Sequence, residues 1–226
     1  MKDKILPAEG LKLIACLTML IDHIGLTLVP LTGLRVIGRI AFPLYCFLLA
    51  EGARHTGSPK KYALRLTLAM ALSEIPFDMV LGSSHAWDHQ NVLLTLLLGF
   101  GALLLMEKVG SPLGKLLAGL PFLAMAQLCR SDYGAQGVMM VMLFGLSGEY
   151  GWGLGKTALG LTLVSLARPS FPVDVLGISL PIELFSLLSL VPLSLYSGRK
   201  ATDSKAVQWG FYLFYPVHLL VLGLLR

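Results

Sequence analysis

From residue 11 to its last residue the chain alternates long, almost purely apolar stretches with short polar breaks. A helix needs about 20 apolar residues to cross a hydrocarbon core of ~30 Å. Nine stretches approach or reach that length: 11–29, 35–54, 61–81, 91–107, 113–129, 133–148, 152–168, 176–195 and 208–225. The fifth to seventh are short or rich in glycine, so the expectation is about nine passes, within eight to ten. Together they leave only short loops, with no repeat, linker or second domain. The pattern predicts an all-α, polytopic transmembrane helical bundle, a single domain over residues 1–226. The first stretch is long enough to span and carries Asp22 and His23 in its middle, which is unlike a cleavable signal segment.

Composition agrees. Hydrophobic residues make up 55% of the chain and charged ones 14%, against roughly 25% charged in a soluble protein. Mean hydropathy is +0.75. This excludes a water-soluble globule and a disordered chain. The net charge of +5 does not point to nucleic acid, because the basic residues fall between apolar stretches rather than in one patch. With the N-terminus cytoplasmic, the inner segments hold twelve basic residues: Lys2, Lys4, Arg54, Lys60, Lys61, Arg65, Lys108, Lys115, Lys156, Arg199, Lys200 and Lys205. The outer segments hold five: Arg35, Arg39, Arg130, Arg168 and Arg226. That asymmetry predicts N-terminus in and, with nine passes, C-terminus out. Cys16, Cys46 and Cys129 lie in apolar runs without metal-ligand spacing and read as small buried residues. His85 and His89, with Asp88 between them, lack a third ligand and read as a solvated loop, so no metal is expected. Gly151, Gly153, Gly155, Lys156 and Thr157 imitate a phosphate loop, but Tyr150 stands where its first glycine is required.

Ionisable residues inside spans are costly and mark candidate chemistry. Helical rise places His23 ~18 Å from the cytoplasmic end, Glu74 at a similar level, and Arg39 ~6 Å below the outer surface. His218 falls near mid-depth. A cluster of Asp22, His23, Arg39, Glu74 and Asp78 is therefore expected in the outer half, edged by Asn91 and Asp132. Glu74 and Asp78 share a helix face and require a cation, supplied by Arg39 or an incoming ammonium. Asp22 points ~100° from His23, which favours pairing with Arg39 over orienting the imidazole. Lys12 and His23, eleven positions apart, share one face ~16 Å apart along the axis. A surface cation and a deep imidazole on one line suit a long ligand with an anionic head and a reactive tail, as in acyl-coenzyme A. Arg54, Lys60, Lys61 and Arg65 are candidates to receive its phosphates. His23 is the expected general base, Arg39 a candidate oxyanion donor, and Asn91, Asp132, Tyr215 and His218 candidate acceptor contacts. The competing function is a small proton-coupled transporter, since buried Asp, Glu and His also form proton relays. No internal symmetry of the transporter kind is visible.

The blocks LKLIACLTMLIDHIG (11–25), GRIAFPLYCFLLAEG (38–52), KYALRLTLAMALSEIPFD (61–78), NVLLTLLLG (91–99), DYGAQGV (132–138) and FYLFYPVHL (211–219) together resemble the TraX family, named for a conjugation-associated pilin acetylase. That family is similar to a wider group of transmembrane acyltransferases, including the acyltransferase-three enzymes and heparan glucosaminide N-acetyltransferase. In the acyltransferase-three enzymes a Lys or Arg, ten residues and a His mark the first helix, a spacing that Lys12 and His23 match. Their typical Arg-Gly pair is not evident here. The resemblance implies a multi-pass protein of the cell membrane that takes an acyl group, most simply acetyl, from cytoplasmic acetyl-coenzyme A. It implies transfer to an acceptor on the outer side, a protein N-terminus or a glycan, with His23 as the catalytic histidine.

Overall fold

Two helix starts are set by local capping chemistry. The Asn91 side chain accepts from the Leu93 amide at 3.0 Å, and Ser111 accepts from Gly114 at 3.1 Å ahead of Pro112 in the first turn. Both satisfy amides that a helix start leaves without partners. The computed structural model describes residues 4–81, 88–167 and 170–226. Lys2, His85 and Arg168 lie outside the described residues. The helices are α1 (Ala8–Thr27), α2 (Thr32–Gly38), α3 (Ala41–His55), α4 (Pro59–Leu81), α5 (Val92–Met106), α6 (Pro112–Leu128), α7 (Gly134–Glu149) and α8 (Leu154–Leu166). A hairpin of β1 (Pro172–Val175) and β2 (Ile178–Pro181) follows, then a 3-10 helix (Ile182–Ser189), α9 (Leu190–Ser194) and α10 (Lys205–Leu225).

The elements run up and down one axis. Leu6 lies beside Tyr196, and the Ala8 amide bonds to Arg199 at 2.9 Å, so the starts of α1 and α10 share one end with the end of α9. Gln90 pairs with Ser131 at the opposite end, where Arg226 also bonds the Val80 carbonyl. Among the described residues, three helical stretches are long and apolar enough to cross a membrane: Ala8–Thr27, Thr32–His55 and Lys205–Leu225. Shorter apolar helices pack beside them. Leu64, Leu68, Leu72 and Ile75 of α4, and Val217, Leu220, Val221 and Leu224 of α10, form exposed apolar stripes. Spaced three to four apart, such stripes are the reverse of a soluble helix's polar outer face and suit lipid. The molecule is an all-α membrane bundle.

Two predicted spans differ from expectation. The second is interrupted at Arg39 and Ile40, between α2 and α3. An added Cβ on Gly38 would overlap the Asp22 carboxyl, so glycine there lets α2 press against α1. The eighth does not run as one helix over 176–195. Pro172 pairs with Pro181 across a two-stranded ribbon, and Gly177 (φ +83°) turns it. Helix begins only at Ile182. Proline cannot donate within a helix, and an extended arrangement of 172–181 tolerates both prolines at the ribbon's open end. Leu176, at the tip, is 99% exposed.

The main core joins α3, α4, α5, α7 and α10 through Leu49, Leu66, Phe77, Phe100, Phe144 and Leu219. Met140 and Met142 are buried and fill the core. Polar side chains also join helices. Gln136 donates to the Val164 carbonyl at 3.0 Å, and Ser165 and Ser186 meet at 2.8 Å. Lys115 pairs with Glu149. Such bonds hold helices together where no hydrophobic force distinguishes helix from lipid. Cys16 and Cys46 are buried, but Cys129, expected to be, is exposed at the end of α6.

Candidate active site

α1 presents Lys12 near its start and His23 near its end, and both line one cavity of about 850 Å³. The spacing of eleven residues brings them to the same side of the helix, as three full turns require. The cavity follows the bundle axis. At the end shared by the chain's N-terminus it is lined by Lys12, His55, Arg65 and Lys200. Its middle is apolar, with Met19, Phe42, Leu49 and Leu93, and its far end carries Asp22, Arg35, Arg39, Asp132 and Glu183.

His23 is not free to rotate. Its Nδ1 lies 2.8 Å from Nε2 of His218 on α10, and the ring centroids are 5.0 Å apart. His218 Nδ1 lies 2.8 Å from the Phe214 carbonyl one turn back. His218 is only 6% exposed and stands behind His23, off the cavity wall, with Tyr215 lining the cavity beside them. The expected acceptor contact at His218 is therefore replaced by a contact to the candidate base.

Asp22 turns the other way, as its position one residue before His23 requires. Its Oδ1 takes Arg39 Nη2 at 2.9 Å and its Oδ2 takes Arg35 Nη1 at 2.6 Å. Arg39 Nη1 reaches Glu183 at 3.1 Å. Two cations and two carboxylates thus balance, joining α1, α2 and the 3-10 helix. Every nitrogen of the Arg39 guanidinium has a partner, since Nε donates to the Arg35 carbonyl at 3.4 Å. Arg39 is held as a brace rather than left open for a ligand. Glu183 stands out in sequence as a carboxylate in an apolar stretch, but the expected cluster did not include it.

The expected bridging of Glu74 and Asp78 by Arg39 does not occur. Glu74 accepts from the Asn91 amide, and Asn91 also donates to the Met70 carbonyl at 3.0 Å while capping α5. Asn91 is fully buried. Phe77 and Val80 of α4 face the cavity; Glu74, Asp78 and Asn91 do not line it. Glu74 and Asp78 each keep one buried carboxyl oxygen without a hydrogen-bond partner among the described residues. Asp132 does line the cavity, where its Oδ1 accepts from the Tyr133 amide at 3.0 Å and lies 3.7 Å from His89. Tyr133 starts α7 in a left-handed conformation (φ +63°), stacked on Phe42 at 3.8 Å. A non-glycine residue rarely sits there.

The four basic residues of the 54–65 region separate. Arg65 lines the cavity, 5.2 Å from the Tyr62 ring. Arg54 pairs with Glu51 and lines a second cavity of about 400 Å³ with Lys4 and Trp152. Lys60 and Lys61 are exposed and line neither. Lys200 and His55 take their place at the mouth; the sequence marked Lys200 only as one of the basic residues of that end. Lys12 lies 3.6 Å from Glu9 and 5.5 Å from the Phe211 ring centre.

Known proteins bear on the whole chain. The probable fimbrial assembly protein FimC, serogroup H1, of Dichelobacter nodosus is 30% identical over 243 residues, covering 95% of this chain and 93% of that protein. The uncharacterized protein RP591 of Rickettsia prowazekii (strain Madrid E) is 60% identical over 38 residues, covering 16% of this chain and 15% of that protein. No solved structure matches. Residues 8–226 match the family described as TraX protein. That match runs from the first residue of α1 to the end of α10 and so takes in both histidines and the whole cavity; this chain belongs to the TraX family.

Proposed function

We propose that the protein is a multi-pass acetyltransferase of the cell membrane. It takes an acetyl group from cytoplasmic acetyl-coenzyme A and transfers it to an amine or hydroxyl on the extracytoplasmic side, a protein N-terminus or a glycan. The observation that supports this reading most is the single cavity lined from one end of the bundle to the other, with His23 on its wall. A donor charged at one end and reactive at the other fits it. Phosphates stay among Lys12, Arg65 and Lys200, and the thioester arm runs the ~16 Å from Lys12 to His23. The acceptor approaches from the Asp132 end. His23 takes a proton from the attacking N–H or O–H, the acceptor bonds to the thioester carbonyl carbon, and coenzyme A leaves as its thiol. The name of the Dichelobacter relative, a probable fimbrial assembly protein, fits a surface-fibre subunit as acceptor. Purified protein that releases free thiol from acetyl-coenzyme A, with acetyl recovered on an acceptor, is the expected result. Release of no thiol, together with proton uptake by proteoliposomes, would instead favour the transporter reading, for which the bonded His23–His218 pair would be a relay.

Two further outcomes test the arrangement. Lys12→Ala and Arg65→Ala should each weaken acetyl-coenzyme A binding by roughly 10- to 150-fold in calorimetry, the equivalent of about 1.5–3 kcal/mol for a lost charged contact. The Lys60→Ala/Lys61→Ala double variant should bind like wild type, because neither side chain lines the cavity. The reverse pattern would place the donor elsewhere. The second outcome concerns orientation. Ser58→Cys should be labelled by a membrane-impermeant thiol reagent only in opened cells, and Ser179→Cys, in the hairpin, also in intact ones. Labelling of Ser58→Cys in intact cells would invert the topology.

A further inference from the structure

We infer that His218 is the positioning residue that holds His23 in one tautomer, with the proton on Nδ1 and the lone pair on Nε2. The inference rests on the reading of His23 as the base, but its first half concerns the resting protein alone. A backbone carbonyl can only accept, so the 2.8 Å contact between His218 Nδ1 and the Phe214 oxygen places a proton on that nitrogen. A neutral imidazole carries one proton, so His218 Nε2 is then an acceptor. It lies 2.8 Å from His23 Nδ1, which must donate. The remaining nitrogen of His23, Nε2, is left with its lone pair. His218 itself is in no position to meet a substrate, since it is nearly fully buried and off the cavity wall.

The neutral form of His218 follows from its surroundings. Phe214 and Tyr215 rings pack on it with centroids 4.9 and 5.6 Å away. Among the described residues no carboxylate pairs with His218, and Asp22 is spent on Arg35 and Arg39. A charge buried without a counterion would be costly. His23 and His218 therefore donate in one direction, toward the Phe214 carbonyl. When His23 Nε2 takes the acceptor's proton, the Nδ1–H bond to His218 strengthens as the ring becomes cationic. This is the role that a carboxylate fills behind the histidine of a hydrolase triad, here filled by a second imidazole on α10.

The test uses full-length protein in nanodiscs, labelled with ¹⁵N-histidine, with His23→Ala used to assign the His23 signals. Wild type should show His23 protonated at Nδ1 and unprotonated at Nε2. His218→Phe keeps the bulk but removes the acceptor, and should release His23 to a mixture of tautomers. In turnover assays His218→Phe should lower kcat by roughly 10²- to 10⁴-fold while the acetyl-coenzyme A KM stays within about a factor of two. His218→Gln returns an oxygen acceptor near the Nε2 position and should recover at least about tenfold over His218→Phe. A residue that only fills space would show the opposite order, with Phe at least as active as Gln, and that order overturns the proposal. So does a wild-type His23 protonated at Nε2, a result that does not depend on any His218 variant folding. If the tautomer is as stated and lost in His218→Phe, yet wild type releases no thiol from acetyl-coenzyme A, the positioning stands and the acetyl-transfer reading fails.

Discussion

His23→Ala protein, monodisperse and binding acetyl-coenzyme A like wild type, should transfer no acetyl group within a range of at least ~10²–10⁴ below wild type. The loss should be larger still if the ring itself carries the acyl group. The reasons are local. His23 lines the cavity roughly three turns beyond Lys12, with its ring held by His218. His55 and His89 also line the cavity, but His55 closes α3 beside the basic mouth and His89 lies 3.7 Å from Asp132 at the far end. Neither stands at the level where the thioester would lie. His23→Gln should not restore turnover, because an amide matches the reach of the ring but takes no proton at neutral pH. Single turnover with labelled acetyl-coenzyme A and no acceptor separates the two chemistries. Label kept on wild type and absent from His23→Ala indicates an acyl-histidine, and no label on either indicates direct attack. A His23→Ala protein that acetylates at the wild-type rate would remove the imidazole from the mechanism.

Arg39→Leu should destabilise the bundle by about 3–5 kcal/mol, the usual consequence of removing one partner from a buried ion pair. Arg39 is 8% exposed and is shared between Asp22 and Glu183. Without it Asp22 retains Arg35, but Glu183, 6% exposed, loses its only ion-pair partner among the described residues. Arg39→Lys should recover only part, since one ammonium does not span two carboxylates as the guanidinium fork does. Arg39→Leu combined with Glu183→Leu should be more stable than Arg39→Leu alone, because no unpaired charge then remains in the interior. Denaturant unfolding in mild detergent measures all three. A single Arg39→Leu variant as stable as wild type would mean that the cluster is solvated and does not tie α1, α2 and the 3-10 helix together.

Much of the site was legible because depth along a helix is a matter of counting. The eleven-residue spacing put Lys12 and His23 on one face, and both line the cavity. The ~100° step between neighbours sent Asp22 away from His23 and toward Arg39, where the 2.9 Å pair is found. Counting fails sideways. Glu74 and Arg39 sit in the same outer half, yet Glu74 meets Asn91 and Arg39 meets Glu183, 144 residues on. Lys60 and Lys61 follow the same rule as Arg65 in sequence, but only Arg65 is turned toward the cavity.

The sequence by itself determined that this is a helical membrane bundle, where most of its apolar helices lie, and that Lys12 and His23 share one face of the first. Those properties depend on composition and on a rise of ~1.5 Å per residue, which no neighbour alters. Only the tertiary structure decided that His218 backs His23 across 195 positions of sequence, that Glu183 completes the Arg39 cluster, and that residues 176–181 turn into a ribbon with 172–175 instead of starting a helix. Lateral neighbours are chosen by packing among helices whose outer surfaces are all apolar. In lipid no hydrophobic difference ranks those arrangements, so small residues, close approaches such as Gly38 on Asp22, and a few buried polar bonds make the choice.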